Sequence, residues 1–416
     1  MSDQIWNKNF TFACIASFSF FIGCFFYFSV LPPYVLGLGG NETVLGIVIA
    51  MANFIAMLTR PFMGFMTDQY GRKRLMYVGA VLFIISSMLF NLASSIGIVI
   101  LIRIFTGIAL GFFVTAINAY VADIVPSKRR GEAIGYFGIF HNVAVAIGPA
   151  VGWWIISSSW TLGTENHLRT LLPTPGPDKA GIYNYSTLFL LASILGLLSL
   201  IASFRMKEKP VSLKKIESSH VLKSFSFSQL FYRPALFPGF INSGLWFIHN
   251  GLISFMPLYS MQIGLENIGL FFTFYALGMV CSRIIGGKIS DRLSRSAVVV
   301  PGLFLILVSM AIMAWTHSII ILLLTGIVCG FGFGIVHPAL TAMVVDRAEE
   351  DKRGSALSTF MIGQDAGLTL GAILLGIVLT YTSFKGLFFC MGGLITVLLL
   401  FFIINERYSK KQNNVS

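Results

Sequence analysis

The chain has 416 residues, of which 56% are hydrophobic and only 11% are charged, and its mean hydropathy is +0.82. This composition excludes a soluble globular domain and indicates a polytopic α-helical membrane protein. The formal net charge of +12 does not indicate nucleic-acid binding, because the basic residues concentrate in alternate loops and in the two tails.

Apolar runs predict twelve membrane-spanning helices, six on each side of a polar stretch. The first run, from Phe10 to Leu38, is too long for the apolar core of a signal peptide. The predicted helices cover residues 10–36, 43–66, 75–94, 96–124, 132–156, 186–204, 235–260, 265–288, 297–316, 318–346, 354–381 and 386–405. We therefore expect an all-α integral membrane fold with two pseudo-symmetric six-helix bundles, at 1–204 and 234–416, joined by a central loop at 205–233.

The distribution of basic residues predicts the orientation of these helices. Of the 29 Lys and Arg, only Arg169, Lys179 and Lys385 fall in loops that we assign to the outside. The positive-inside rule therefore places both termini and the central loop in the cytoplasm, in a multi-pass protein of the plasma membrane. Within the central loop, the pattern of Ser, Phe and Leu at Leu222–Phe231 predicts a short interfacial helix. We predict an irregular outer loop at residues 157–185.

Cysteine usage and the missing motifs argue against catalysis. All five cysteines fall in apolar segments without metal-ligand spacing, which predicts packing residues rather than disulfides or metal ligands. The sequence shows neither a Walker motif nor a nucleophile–base constellation. We therefore expect no enzyme activity, no cofactor and no metal ion.

The two halves repeat each other with an offset of 223 residues. The matched pairs include Gly46 and Gly269, Arg60 and Arg283, Gly64 and Gly287, Asp68 and Asp291, Arg72 and Arg295, Gly107 and Gly330, Gly111 and Gly334, Asp123 and Asp346, and Gly148 and Gly371. Parallel six-helix repeats place a substrate site at the membrane midplane between the halves.

A segment rich in glycine and charge follows predicted helix 2, and we place it in the loop before helix 3. It reads Gly64-Phe-Met-Thr-Asp68-Gln-Tyr-Gly71-Arg72-Lys73-Arg74. This segment resembles the G-x-x-x-D-x-x-G-R-[KR] signature of the major facilitator superfamily. Its echo carries Asp291 and Arg295, with a serine in place of the second glycine. With the twelve helices and the repeat, the resemblance covers nearly the whole chain and implies a cytoplasmic gate that includes Arg72 and Arg295.

Each residue of this signature has a physical role. Gly64 lets helix 2 approach a neighbour closely, and Gly71 permits a tight turn. Asp68 is expected to face the start of helix 11, where unpaired backbone N–H groups favour an anion, and Asp291 the start of helix 5. The resemblance implies that these contacts form a latch between the halves.

Arg103 lies within predicted helix 4, four residues before Gly107. The spacing is similar to the superfamily's R-x-x-x-G pattern, which is associated with proton coupling in drug exporters. Arg103 has no echo in the second half, because the equivalent residue is Gly326. The alternative is that Arg103, about 10 Å from the outer end of the helix, extends its charge to the interface.

Helix 5 carries Gly148, Pro149 and Gly152. These residues resemble the G-x-x-x-G-P-x-x-G-G motif of the drug:proton antiporters, although Ala144 and Trp153 replace two of its glycines. We expect a kink and close packing against the other half. In the superfamily this motif marks exporters rather than importers; the alternative is an ordinary proline kink.

One carboxylate, Asp365, lies about 18 Å along predicted helix 11, near the middle of the hydrocarbon core. An ionised group there is costly, so it indicates either a functional site or a structural pairing with a buried partner. His141 and Asn142 occupy the equivalent positions to Gln364 and Asp365 in the repeat. We expect Asp365, Arg103 and His141 to be the proton-coupling groups.

Polar groups on an aromatic background predict a pocket for a partly apolar ligand. The substrate-binding candidates are Tyr27, Tyr34, Asn142, Asn242, Trp246, His249, Asn250, His337 and Gln364. Single histidines in helix bundles also serve as packing residues.

The resemblance implies a secondary transporter that exports a small molecule in exchange for protons, works as a monomer in the lipid bilayer and alternates access by rocking its halves. Two alternatives remain open. One is proton-coupled uptake of a sugar or metabolite. The other is a membrane sensor or assembly factor that has kept the fold without transport.

Overall fold

The structure is a computed structural model that describes residues 5–125, 130–157, 185–207, 232–264, 269–292, 294–349 and 353–413. Within these ranges the chain forms twelve α-helices, one short 3-10 helix at Phe90–Leu92, and no β-strand. The helices are α1 (Lys8–Gly37), α2 (Glu42–Tyr70), α3 (Arg72–Leu89), α4 (Ile96–Ile124), α5 (Arg130–Ser157), α6 (Tyr185–Arg205), α7 (Arg233–Gln262), α8 (Gly269–Arg292), α9 (Arg295–Trp315), α10 (Ile319–Asp346), α11 (Arg353–Tyr381) and α12 (Phe384–Asn413).

Ten of the helices in the described residues contain a segment long and apolar enough to cross a membrane. α7 is not among them despite its 30 residues, because polar side chains interrupt it at Asn242, His249 and Asn250. α8 contributes a shorter apolar segment, Gly269–Ser282. The number and length of these helices make the chain a multi-pass membrane protein.

The connection between α2 and α3 differs from the prediction. α2 continues past the predicted end at 66, so Asp68, which we placed in a loop, belongs to its last turn, and only Gly71 separates the two helices. Gly71 has φ 90°, a conformation that favours glycine, so the expected tight turn is confirmed. At the equivalent start of α9, Ser294 instead caps the helix by accepting a hydrogen bond from the N–H of Ala297 at 3.2 Å.

Other helix ends lie within a few residues of the prediction, except that α12 continues to Asn413 rather than ending at 405. The predicted outer loop and the interfacial helix Leu222–Phe231 lie outside the described residues.

The chain divides into two compact units, one formed by residues 1–213 and 253–272 and the other by residues 214–252 and 273–416. In the first unit, α1 packs against α5 and α6, α2 against α4, and α3 against α4 and α6. In the second unit, α9 packs against α10 and α12, and α11 contacts α10 and α12. The division into bundles at 1–204 and 234–416 stays a prediction.

The packing of α4 in the first unit matches the packing of α10 in the second. A Cβ atom on Gly107 would lie 2.5 Å from the carbonyl oxygen of Ala52, and one on Gly330 would collide with the carbonyl oxygen of Tyr275. Both the glycines and their partners are separated by the repeat offset. The same holds for Gly111 against Thr59 and Ala56, and Gly334 against Ser282 and Met279. The sequence repeat is therefore also a repeat of helix–helix contacts.

Two ion pairs are related by the same repeat offset of 223 residues. The Arg72 Nε atom lies 2.9 Å from an Asp123 carboxylate oxygen, joining the start of α3 to the end of α4. Arg295 and Asp346 join α9 to α10 in the same way at 3.0 Å. Both aspartates are more than half exposed, so each pair contributes little stability and mainly sets the relative position of two helix ends.

Candidate functional site

Asp365 is the buried carboxyl group that the sequence singled out. It lies in α11, twelve residues after Arg353, and only 2% of its surface is exposed. The Thr369 hydroxyl donates a hydrogen bond to the backbone oxygen of Asp365 at 2.8 Å. Burial away from water disfavours an ionised carboxyl group, so the surroundings of Asp365 control whether it holds a proton.

Two asparagines of α7 hold α11 on both sides of Asp365. The Asn242 amide donates to the backbone oxygen of Phe360 at 3.4 Å, and the Asn250 amide donates to the backbone oxygen of Leu368. The donors are eight residues apart, and so are the acceptors, which indicates that the helices run side by side over this length. Asp365 lies between the two bonds, so its position along α7 is set.

Glycines allow this close approach of α11 to α7. A Cβ atom on Gly363 would lie 2.7 Å from the carbonyl oxygen of Gly239. Gly367 and Gly371 press in the same way against the backbone of Ser243 and Phe247. Asp365 is therefore carried by a helix whose contact face is backbone against backbone, the closest arrangement that two helices adopt. We call residues 360–371 of α11 with residues 239–250 of α7 the α7–α11 clamp.

A histidine of α10 joins this clamp. The Nδ1 atom of His337 lies 3.3 Å from the indole Nε1 of Trp246 and 3.0 Å from the Oδ1 of Asn242. The His337 ring also stacks on Phe360, with centroids 5.7 Å apart. Asn242 is thus shared between α10 and α11, and the predicted pocket residues Asn242, Trp246 and His337 are brought together.

His249 occupies the next turn of α7. Its Nδ1 atom lies 2.6 Å from the Tyr275 hydroxyl, and its ring packs 4.7 Å from that of Trp246 and 5.3 Å from that of Phe333. It is 5% exposed. Tyr275 was not among the predicted site residues, because a tyrosine in an apolar helix resembles any packing aromatic.

Arg103 lies in the first unit and does not extend to the helix end. It is 6% exposed, and its guanidinium donates to the backbone oxygens of Val48 and Ile49 in α2, at 3.1 and 3.2 Å. No carboxylate of the described residues pairs with it. The alternative of an interfacial Arg103 is therefore wrong: carbonyl dipoles solvate a buried positive charge.

His141 and Asn142 lie together on α5. The His141 ring meets the rings of Phe21 and Phe25 on α1 edge to face, at 4.4 and 5.4 Å. Asn142 is 4% exposed, and its Nδ2 atom has no hydrogen-bond partner among the described residues. The Oε1 atom of Gln364 is also buried and has no hydrogen-bond partner among the described residues. Buried amides with unused hydrogen-bonding capacity are candidates for ligand contacts.

Two candidate tyrosines are already engaged in the first unit. The Tyr27 hydroxyl donates to Ser87 Oγ at 2.8 Å, and the Tyr34 hydroxyl donates to the backbone oxygen of Ala93 at 2.9 Å. They are 2% and 3% exposed. These contacts tie α1 to α3 and to the turn after it, which favours a structural role over ligand binding.

The antiporter-like motif packs within the first unit. α5 is continuous through Pro149, and Gly152 is buried. A Cβ atom on Gly148 would lie 2.6 Å from the Cβ of Phe25 on α1. Gly148 therefore approaches α1, a main neighbour of α5 within the first unit. Packing of this motif against the other half stays a prediction.

In the gate signature, Gly71, Arg72 and Arg295 have the geometry given above, whereas the side chains of Asp68 and Asp291 lie outside the described residues. The latch therefore stays a prediction. In the described ranges no cluster of three His, Cys, Asp or Glu side chains could hold a metal ion.

A repeated helical membrane fold with buried polar groups on α4, α7, α10 and α11 is typical of a membrane transporter. The sequence profile of the Major Facilitator Superfamily matches residues 13–271 and 263–416, and the chain belongs to this family.

Similar proteins support this assignment. The chain is 23% identical to the Staphylopine export protein of Staphylococcus aureus (strain Mu50), over 87% of each chain. It is 24% identical to Multidrug resistance protein 2 of Bacillus subtilis (strain 168), over 90% of each. The crystal structure of a D-xylose-proton symporter has the same fold, with a TM-score of 0.76, 16% identity and coverage of 95% of this chain and 96% of that one.

Proposed function

We propose that this transporter exports a small molecule in exchange for protons, with Asp365 as the coupling group. The observation that carries the proposal is the burial of this carboxyl group in the middle of α11, between the two asparagine bonds of the α7–α11 clamp. The names of its relatives, an export protein and a multidrug resistance protein, support the outward direction.

The coupling follows from electrostatics. A carboxyl group in an apolar site holds a proton unless a cation or a polar ligand stabilises its ionised form. Substrate binding therefore favours release of the proton, and protonation favours release of substrate. Arg103 adds a fixed positive charge in the first half, and His141 is the second candidate for proton exchange there.

In this proposal each unit offers its own groups for contact with the substrate. Asn142 and Gln364 offer unused amide atoms, and Trp246 offers an aromatic surface that is partly accessible. This set suits a ligand with one polar end and an apolar or aromatic body. The transporter works as a monomer in the plasma membrane, with both termini in the cytoplasm, and the latch of Asp68 and Asp291 closes the cytoplasmic side.

The test uses everted membrane vesicles, in which the cytoplasmic face is outside, loaded with a fluorescent pH indicator. The probes are ethidium as an aromatic cation, citrate as an anionic chelator and D-xylose as a neutral sugar. Export by antiport makes the lumen more alkaline when a probe is added, whereas uptake by symport makes it more acidic. No pH change with any of the three probes would count against the proposal.

The variant that tests the coupling group is Asp365→Asn, which keeps the shape and removes the titration. We expect it to abolish probe-driven proton movement and accumulation of probe against its gradient. Glu349→Gln is the matched control, because it removes an exposed carboxylate between α10 and α11 and is expected to transport normally. An Asp365→Asn protein that still concentrates the probe with a normal pH dependence would refute the assignment.

A further inference from the structure

One atom of His337, its Nδ1, lies within hydrogen-bonding distance of two different groups. Its Nδ1 lies 3.3 Å from Trp246 Nε1 and 3.0 Å from Asn242 Oδ1. The two partners are four residues apart on α7, which is about one helical turn. An indole nitrogen only donates, whereas an amide oxygen only accepts. The same imidazole nitrogen cannot satisfy both partners at once.

The orientation of the Asn242 amide is fixed by its other contact. Its Nδ2 donates to the backbone oxygen of Phe360 at 3.4 Å. Rotating the amide by 180° would place two oxygens against each other there, so the oxygen must face His337. The contacts of Asn242 therefore leave a single variable, which is the proton on His337 Nδ1.

We propose that His337 is a second proton site, and that its proton moves the Nδ1 hydrogen bond by one turn of α7. A neutral ring with its proton on Nε2 accepts from Trp246. A positively charged ring carries a proton on both nitrogens and donates from Nδ1 to Asn242. Trp246 then has no other hydrogen-bond partner among the described residues.

In the protonated state a series of hydrogen bonds links three helices, from His337 on α10 through Asn242 on α7 to the backbone of Phe360 on α11. Phe360 lies five residues before Asp365, at one end of the α7–α11 clamp. His337 thus acts as a positioning residue for the helix that carries the coupling carboxyl group. This role in transport rests on the proposed function, whereas the exchange of partners does not.

Other titratable groups lie on the helices around this site, and their signals must be separated from that of His337. His249 on α7 packs against Trp246, and Tyr275 on α8 contacts His249. α11 contributes Asp365, and α10 itself contributes Cys329. α9 carries a charged group only at its first residue, Arg295. His249 is the group most able to imitate a signal from His337, because it touches the same indole ring.

The test follows the indole N–H signal of Trp246 by NMR in protein labelled with ¹⁵N-indole tryptophan, in detergent micelles without substrate or gradient. Trp246→Phe assigns the signal. On acidification we expect an upfield shift in one step, with a midpoint between about pH 5 and 8, as the indole loses its acceptor. His337→Gln should abolish the step, whereas His249→Gln and Asp365→Asn should keep it.

Each outcome bears on the proposal. A Trp246 signal that does not respond to pH, a step that survives in His337→Gln, or a step lost only in His249→Gln would overturn it. If the pH step of the Trp246 signal is present and the Asp365→Asn variant still drives uphill transport, the partner exchange is intact and the proposed function is refuted. If the pH step of the Trp246 signal is absent and Asp365→Asn abolishes uphill transport, only the partner exchange is refuted.

Discussion

Replacing Gly367 by alanine tests the α7–α11 clamp directly. The added Cβ atom would collide with the carbonyl oxygen of Ser243 and approach the Phe247 backbone nitrogen to 3.1 Å. Both are backbone atoms, so no side chain can turn away to make room. The two helices must separate at a point only two residues from Asp365.

The size of the effect follows from two opposing terms. Overpacking by one methyl group costs about 1–3 kcal/mol, and the rigid backbone contact places Gly367→Ala towards the upper end. Alanine is favoured over glycine within a helix by about 1 kcal/mol. Gly393→Ala in α12 isolates this second term, because a Cβ there meets nothing within 4 Å.

Thermal unfolding in detergent micelles, at one fixed scan rate, compares the two variants. We expect Gly393→Ala to melt at or above the wild-type temperature and Gly367→Ala to melt below it. The difference in stability between the variants should be about 1–3 kcal/mol. Equal melting temperatures for both alanine variants would show that α7 and α11 are not in backbone contact and would refute the clamp.

Three further predictions concern other parts of the chain. Tyr27→Phe removes a buried hydrogen bond and should lower the free energy of unfolding by about 0.5–1.5 kcal/mol in the same assay; an unchanged value would mean that the bond is absent. Arg72→Gln and Arg295→Gln each break one exposed ion pair and should each cost at most about 1 kcal/mol; a large loss for only one would contradict their equivalence in the repeat. In a cysteine-free background, an impermeant thiol reagent applied to intact cells should label His317→Cys, and Lys8→Cys only after lysis; the reverse pattern would invert the orientation.

Membrane solvation explains why the helices could be predicted so closely. A bilayer requires about 20 apolar residues in each helix, and this length leaves a clear pattern in composition. Helix ends in water follow other rules. α2 continues through Asp68 because Gly71, rather than a change in hydropathy, ends it, and α12 continues beyond 405 because polar residues also form helix.

The candidate site was predictable in its residue types but not in its contacts. Asn242 and Asn250 stand out in an apolar helix, and we interpreted them as ligand groups. The structure uses their Nδ2 atoms to bind α11. Their partners are backbone oxygens, which every residue possesses, so no feature of the sequence identifies them. Glycine spacing on α11 was the one available signal.

The interrupted apolar character of α7 has a consequence for the biogenesis of the protein. Asparagine and histidine side chains disfavour insertion of an isolated helix into lipid, and α7 is synthesised before the helices that receive its hydrogen bonds. Asn250 finds its acceptor on α11 and Trp246 finds its acceptor on α10. We therefore expect a nascent chain that ends before α10 to hold α7 only weakly in the bilayer, and the insertion of α7 to be completed when α10 and α11 have been synthesised.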